Sequence, residues 1–141
     1  MKNLFNNKKA YYEYEVLYSL ESGIVFRGNH IRLIRENKFN MMDSYCYFNN
    51  NELFVKGVRV KEDELDIKLL LHKIELRKLF KDTQIKGNTI IPLQLYINNT
   101  GLIKLKIGLC KGKKIYDKRE SIKEKDIKRD LERYGKQWIT W

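Results

Sequence analysis

Residues 102–110 read Leu-Ile-Lys-Leu-Lys-Ile-Gly-Leu-Cys, so Ile103, Leu105, Ile107 and Leu109 recur at every second position with Lys104, Lys106, Gly108 and Cys110 between them. A helix would scatter such residues around its axis; a strand puts the apolar set on one buried face and the lysines on the other. The run before it, residues 89–98, is also strand-like, and Asn98-Asn99-Thr100-Gly101 between the two is turn chemistry. Pro92, the only proline, has no N–H to give a ladder and predicts an edge or a bulge. One hairpin is not stable alone, so more strands must join it. Residues 12–18 alternate in the same way, which places Tyr12, Tyr14 and Tyr18 in the core, and residues 24–26 form a short strand after Ser22-Gly23. Residues 44–48 and 53–60 flank Asn49-Asn50-Asn51 as a hairpin. Two helices fit between: residues 30–36 behind an Asn29 cap, and a stronger one carrying Ile67, Leu70, Leu71, Ile74, Leu79 and Phe80, with Asp63 or Asp66 as cap, His72 inside and Gly87 as stop. Five or six short strands with two helices predict a mainly β fold, a small closed or nearly closed antiparallel barrel.

Composition narrows the class. A chain of 141 residues suits one domain, and 17 aromatics with 43% hydrophobic residues argue for a packed core. No apolar run is long enough to span a bilayer, and residues 1–10 carry no export signal. With only Cys46 and Cys110, neither a disulfide framework nor a Cys-rich zinc site can be built, and both cysteines read as small apolar residues in a reducing compartment. The expectation is a soluble protein without membrane partner. The 21 Lys, 15 Ile and 12 Asn reflect AT-rich codons in part, but the net charge of +11 is harder to discount. Residues 104–141 hold 13 bases against 6 acids, while residues 1–103 hold 16 against 12. After Lys111 the strand pattern gives way to a charged segment whose apolar positions, Ile127, Leu131, Tyr134 and Trp138, form one narrow helical stripe. Residues 1–110 are therefore read as the folded head and residues 111–141 as a basic tail.

Catalytic chemistry is poorly represented. His30 and His72 lie in separate elements, and no Ser or Cys has a nucleophile setting. Asp117, Glu120, Glu124 and Asp126 imitate a nuclease carboxylate cluster, yet each sits among Lys or Arg, so charge balancing explains them. No glycine-rich phosphate loop occurs, and no enzyme activity, cofactor or metal is expected. The basic residues say more. Lys104 and Lys106 on a strand face lead into Lys111, Lys113 and Lys114, a continuous positive track suited to phosphates whatever the base sequence. On residues alone three readings stay open: an RNA-binding protein, a basic structural ribosomal or ribosome-assembly protein, and an RNA-processing enzyme using the tail carboxylates.

Residues 108–126, GLCKGKKIYDKRESIKEKD, resemble the Gly-Leu-x-Lys-Gly-Lys-Lys-x-x-Asp-Lys-Arg signature of the small protein B (SmpB) family, the tmRNA (SsrA RNA)-binding proteins of bacterial trans-translation. Further blocks follow the family order: Asn7-Lys8-Lys9-Ala10-Tyr11-Tyr12-Glu13-Tyr14, Glu21-Ser22-Gly23-Ile24-Val25 with Gly28, Asp43-Ser44-Tyr45, Lys68-Leu69-Leu70-Leu71-His72-Lys73 and Ile91-Pro92-Leu93 with Tyr96. The resemblance covers almost the whole chain. It implies an OB-like β-barrel with two or three helices, and a role without bond chemistry: the head grips the tRNA-like domain of tmRNA and accompanies it into the vacant A site of a ribosome stalled on non-stop mRNA.

The partners so implied are tmRNA, the small-subunit decoding centre and mRNA channel, and elongation factor Tu indirectly through tmRNA. The resemblance further implies a monomer in the cytoplasm, or in an organelle matrix if organelle-encoded. RNA contacts would come from Lys8, Lys9, Arg32, Arg35, Lys104, Lys106, Lys111, Lys113 and Lys114. Asp117, Lys118 and Arg119 would serve ribosomal accommodation, and Lys123, Lys125, Lys128, Arg129, Arg133 and Trp138 would act in the empty channel, where the tail, disordered until then, folds as a helix. Two departures stand out. His30 replaces the acid of the family's Gly-Thr-Glu-Val-Lys-Ser block, and the segment before Leu69 is shortened to KEDELDIK, with only Lys68 kept of its usual bases.

Overall fold

The computed structural model describes residues 1–112. The chain order is β1 (Lys2–Asn6), α1 (Lys8–Glu13), β2 (Tyr14–Ile24), α2 (Gly28–Arg35), β3 (Tyr45–Asn49), β4 (Glu52–Val60), β5 (Asp63–Leu70), α3 (Lys73–Thr83), β6 (Asn88–Ile97) and β7 (Ile103–Gly112). The seven strands form one antiparallel sheet in the order β1-β6-β7-β2-β5-β4-β3.

The alternation of residues 102–110 survives intact in β7. Ile103, Leu105, Ile107 and Leu109 are buried and join Leu95 and Ile90 of β6 and Val55, Val58 and Ile67 of β4 and β5 in the main core. Leu33 and Ile34 of α2 and Leu79 of α3 enter the same core. The two expected turns also form. Asn50 and Asn51 both have positive φ, 51° and 65°, as a two-residue type I′ hairpin between β3 and β4 requires. Asn98 Oδ1 accepts from the N–H groups of Thr100 and Leu102, and Gly101 takes φ 83° to close the β6–β7 turn. Pro92 lies beside a bulge, where the register slips between Pro92 and Gln94.

Three expectations need correction. The first is the barrel: the sheet is open, with β1 and β3 at its two ends. β1 pairs with β6 only at Gln94 to Ile97. β3 lies beside the other half of β6 without a ladder, leaving a cleft of about 260 Å³ lined by Cys46, Phe48, Phe80, Asn88 and Ile90. The two halves of the sheet are joined through only two paired positions, Gly23↔Leu70 and Ile24↔Leu69.

The second concerns residues 63–70, which form strand β5 and not the first turns of a helix. Ile67 and Leu69 are buried at period 2 against β4, whereas Leu70 is half exposed. Helix α3 starts only at Lys73, so His72 is its N-cap residue, and the His72 N–H donates to Glu75 Oε1 at 3.1 Å. The KEDELD acids belong to a hairpin, with Lys61 at φ 55° in its turn.

The third concerns the start of the chain. Tyr12 lies on α1 and is exposed, and β2 begins at Tyr14 and runs unbroken through Ser22-Gly23. Ser22 is buried there because its hydroxyl donates to the Leu105 carbonyl at 2.8 Å. Helix α2 likewise starts one residue before the expected cap, with Arg27 at the N-cap position and no side-chain cap bond.

Candidate nucleic-acid interface

Helix α1 is too short to persist alone, and Asn7 anchors it. The buried Asn7 side chain accepts from the Ala10 N–H at 3.1 Å and donates to the Pro92 carbonyl at 2.8 Å, while its own N–H donates to the Leu93 carbonyl at 2.8 Å. One residue thus caps the helix and ties it to β6. Ala10 then packs with Ile91, Leu93 and Cys110 in a second apolar cluster on the sheet face away from the main core. Gly108 permits the approach: a Cβ there would lie 2.7 Å from Leu93 Cδ1. The helix presents Lys8 and Lys9 to solvent, with Lys9 near Glu13 at 3.9 Å, and exposes Tyr11.

By alternation, Lys104 and Lys106 share that outer face with Gly108 and Cys110. Lys106 stands opposite Glu21 and Gln94, and Lys104 opposite Gly23 and Tyr96. The Tyr96 hydroxyl donates to Glu21, and desolvation followed by that bond pushes the phenol up to about 12. Glu21 and Tyr96 stand in the sequence as members of two family blocks, with no sign there that they meet at this interface. Only the β2–β7 and β6–β7 registers, set by contacts far apart in the chain, bring them between the lysines.

Helix α2 closes one end of this surface. Arg35 Nη2 donates to the Gly101 carbonyl at 2.7 Å, and Arg32 pairs with Glu36 at 3.6 Å. His30, where the family block carries an acid, has its Nε2 3.2 Å from Asp63 Oδ2, so a carboxylate does stand there, supplied by the β4–β5 turn. At the other end of β7, Lys111 stands opposite Glu15 and Asn88 and, by alternation, belongs to the opposite face from Lys104 and Lys106. On the outer face the basic residues therefore follow β7 from Arg35 at the Gly101 turn, through Lys104 and Lys106, to α1 with Lys8 and Lys9, while Lys111 stands on the other face. That path is about 30 Å at roughly 3.3 Å per residue. It is not a simple strand face running into a loop, because Ala10 of α1 packs in one cluster with Cys110 and the helix supplies its own lysines there. Lys113, Lys114, Asp117, Lys118, Arg119, Lys123, Lys125, Lys128, Arg129, Arg133 and Trp138 lie outside the described residues.

The face has none of the apparatus of bond chemistry among the described residues. Cys46 and Cys110 are buried thiols; burial drives both pKa values up, that of Cys110 to about 11. No group of three His, Cys, Asp or Glu is placed to hold a metal among the described residues, and none of their helices is long and apolar enough to cross a membrane. What the arrangement offers a ligand is positive charge along a ridge, with hydroxyl and amide groups between.

The family model for the SmpB protein matches residues 4–137. The chain belongs to the SmpB family. Its SmpB relatives include the SsrA-binding protein of Flavobacterium johnsoniae, 47% identical over 140 residues that cover 92% of this chain and 93% of the relative. The SsrA-binding protein of Thermosipho africanus is 39% identical over 146 residues, covering 96% and 98%. The fold is similar to a solved structure described as "tmRNA-SmpB: a journey to the center of the bacterial ribosome", with a TM-score of 0.64 and 32% identity, over 84% of this chain and 93% of that one.

Proposed function

We propose that this chain binds the tRNA-like domain of tmRNA and carries it into the vacant A site of a stalled ribosome, acting in trans-translation without catalysing a reaction. Membership of a family whose relatives are SsrA-binding proteins carries the reading. The charge along β7 gives it a physical basis. Lys8, Lys9, Lys104 and Lys106, with Arg32 and Arg35 at the α2 end and Lys111, Lys113 and Lys114 beyond, neutralise phosphates and release counterions. Tyr11 adds an exposed ring beside them. Glu21, held by Tyr96 between two lysines, orients that face by accepting only donors, which a uniform lysine patch would not do.

The 111–141 segment enters the empty mRNA channel. Asp117, Lys118 and Arg119 act in accommodation, and Lys123, Lys125, Lys128, Arg129 and Arg133 meet rRNA phosphates, with Trp138 stacking on a base. The protein works as a monomer in the cytoplasm, or in an organelle matrix, and meets elongation factor Tu only through tmRNA.

The deciding experiment recovers and sequences RNA crosslinked to the full chain in cells, in parallel with binding of the purified chain to tmRNA at graded salt. The expected result is tmRNA as the main crosslinked species. A variant with Lys8, Lys9, Lys104 and Lys106 replaced by Ala should bind tmRNA with a log–log salt slope smaller by roughly 3, at about 0.7–0.9 per lost phosphate contact. Recovery of ribosomal RNA without tmRNA overturns the function, and an unchanged slope overturns the interface.

A further inference from the structure

Helix α3 lies on the opposite side of the sheet from α1: Leu79 enters the main core, and Asp82 accepts from the Tyr18 hydroxyl at 2.6 Å. Its outer stripe borders a cleft that the tmRNA reading leaves unused. Lys73, Leu76, Arg77 and Phe80, spaced i, i+3, i+4 and i+7, form one wall. The β3–β4 turn, with Asn50 and Asn51, forms the other. The cleft holds about 590 Å³, within the roughly 300–1,000 Å³ usual for small-ligand sites.

We infer that this cleft accepts an unpaired RNA nucleotide, giving the protein a second RNA contact on the face away from the β7 ridge. Three observations carry the inference. The first is charge. Lys73 and Arg77 take part in none of the ion pairs among the described residues, unlike Lys9 and Arg32, which are paired within their own helices. The one acid on the cleft, Glu52, is held by Lys68 at 2.9 Å, so the rim stays net positive. The second is an aromatic surface. Phe80 is 45% exposed although it lies against Phe48, edge to face with centroids 5.3 Å apart, so part of a fixed ring is left open to stacking. The third is the set of polar groups. Asn50 and Asn51 are exposed, and their side-chain amides offer both donors and acceptors, the chemistry that reads a base edge. A duplex keeps its bases stacked and their Watson–Crick edges paired, so it has no free base to put into such a cleft; the occupant is single-stranded RNA, with Lys73 and Arg77 on its phosphates.

The test uses the full chain and oligouridylate containing 5-bromouridine, with photocrosslinks mapped by mass spectrometry. The expected crosslink lies in the peptide containing Phe80 or Phe48. A Lys73→Glu, Arg77→Glu variant should lose that crosslink and bind the oligomer about tenfold more weakly, while binding tmRNA within about twofold of the parent. Phe80→Leu, which keeps an apolar contact for Phe48, should weaken oligouridylate and leave an abasic oligomer of the same length unaffected. Crosslinks found only on other peptides, equal affinity for the abasic and uridine oligomers in the parent, or displacement of the RNA by an acidic peptide but not by unlabelled oligouridylate would each overturn the inference. Loss of tmRNA recovery in cells tests the function proposed above and leaves this site unaffected, so the two failures are separable.

Discussion

At the scale of single residues, buried polar groups do more here than their number suggests. Replacing Asn7 by Ala removes the cap on the Ala10 N–H and strips the Pro92 carbonyl of its donor in a buried place. The cap and the orphaned acceptor together predict a loss of about 2 kcal/mol, read as a lower urea midpoint with an unchanged m-value. A loss under about 0.5 kcal/mol would mean that α1 is held by Ala10 packing alone. Tyrosine hydroxyls give a second prediction. Tyr96 is raised to about 12 by desolvation and then by Glu21, and Tyr47 to about 12 mainly by its hydrogen bond to Asp66. An unfolded tyrosine titrates near 10.0, so the native state keeps these protons longer. The stability they contribute is complete below that pH and drains away as pH climbs toward 12. Tyr96→Phe should therefore lose stability less steeply than the parent across this window, as followed by urea unfolding. An equal slope would show that the Glu21 contact is not made in solution.

At the scale of elements, the legible parts were those whose pattern admits one reading. Ile103, Leu105, Ile107 and Leu109 fit a strand and nothing else, and Asn49-Asn50-Asn51 fits a hairpin turn, of which Asn49 proves to end the strand. Ile67 and Leu69-Leu70-Leu71 fit both periods, and what decides for the strand is pairing with β4, a contact invisible to local patterning. Helix α1 spans six residues, too few for periodicity to show, and its only advance signal was an Asn before Lys-Lys-Ala. The interface divides in the same way. Lys104 and Lys106 could be placed by parity, whereas Glu21 and Tyr96 needed a register. Two substitutions probe these element boundaries. Asn51→Ala keeps a Cβ at φ 65° but loses the short polar side chain that makes the left-handed region tolerable, and should cost about 1 kcal/mol, whereas Asn51→Gly should cost nothing. Glu75→Ala removes the acceptor for the His72 N–H and should cost about 1 kcal/mol if α3 begins at Lys73. No loss there would favour a helix already running through His72.

At the scale of the whole molecule, β1 connects the fold to the charge distribution. It takes part of the β6 edge, and the chain leaving it turns at Asn7 into α1, which brings Lys8 and Lys9 to the sheet face that Ala10 packs on. An open sheet also presents two separate faces, one carrying α1, Lys104 and Lys106, the other carrying α3. Residues 1–112 hold 19 bases against 12 acids, so most of the excess charge belongs to the described part and not to the segment after it. Both apolar clusters of the described residues are built from positions 4 to 110. A chain ending at Lys114 should accordingly melt cooperatively, within a few degrees of the full-length protein. It should bind the tRNA-like domain of tmRNA within about tenfold of the parent, because the β7 ridge remains, yet fail to support tagging of peptides on stalled ribosomes, which needs the 115–141 segment in the channel. Thermal denaturation, filter binding and a reconstituted tagging assay separate the three quantities. If binding fell as far as tagging, the ridge would not be the main RNA contact and the excess charge on residues 1–112 would serve another end. If tagging survived, the channel role of the C-terminal segment would be wrong.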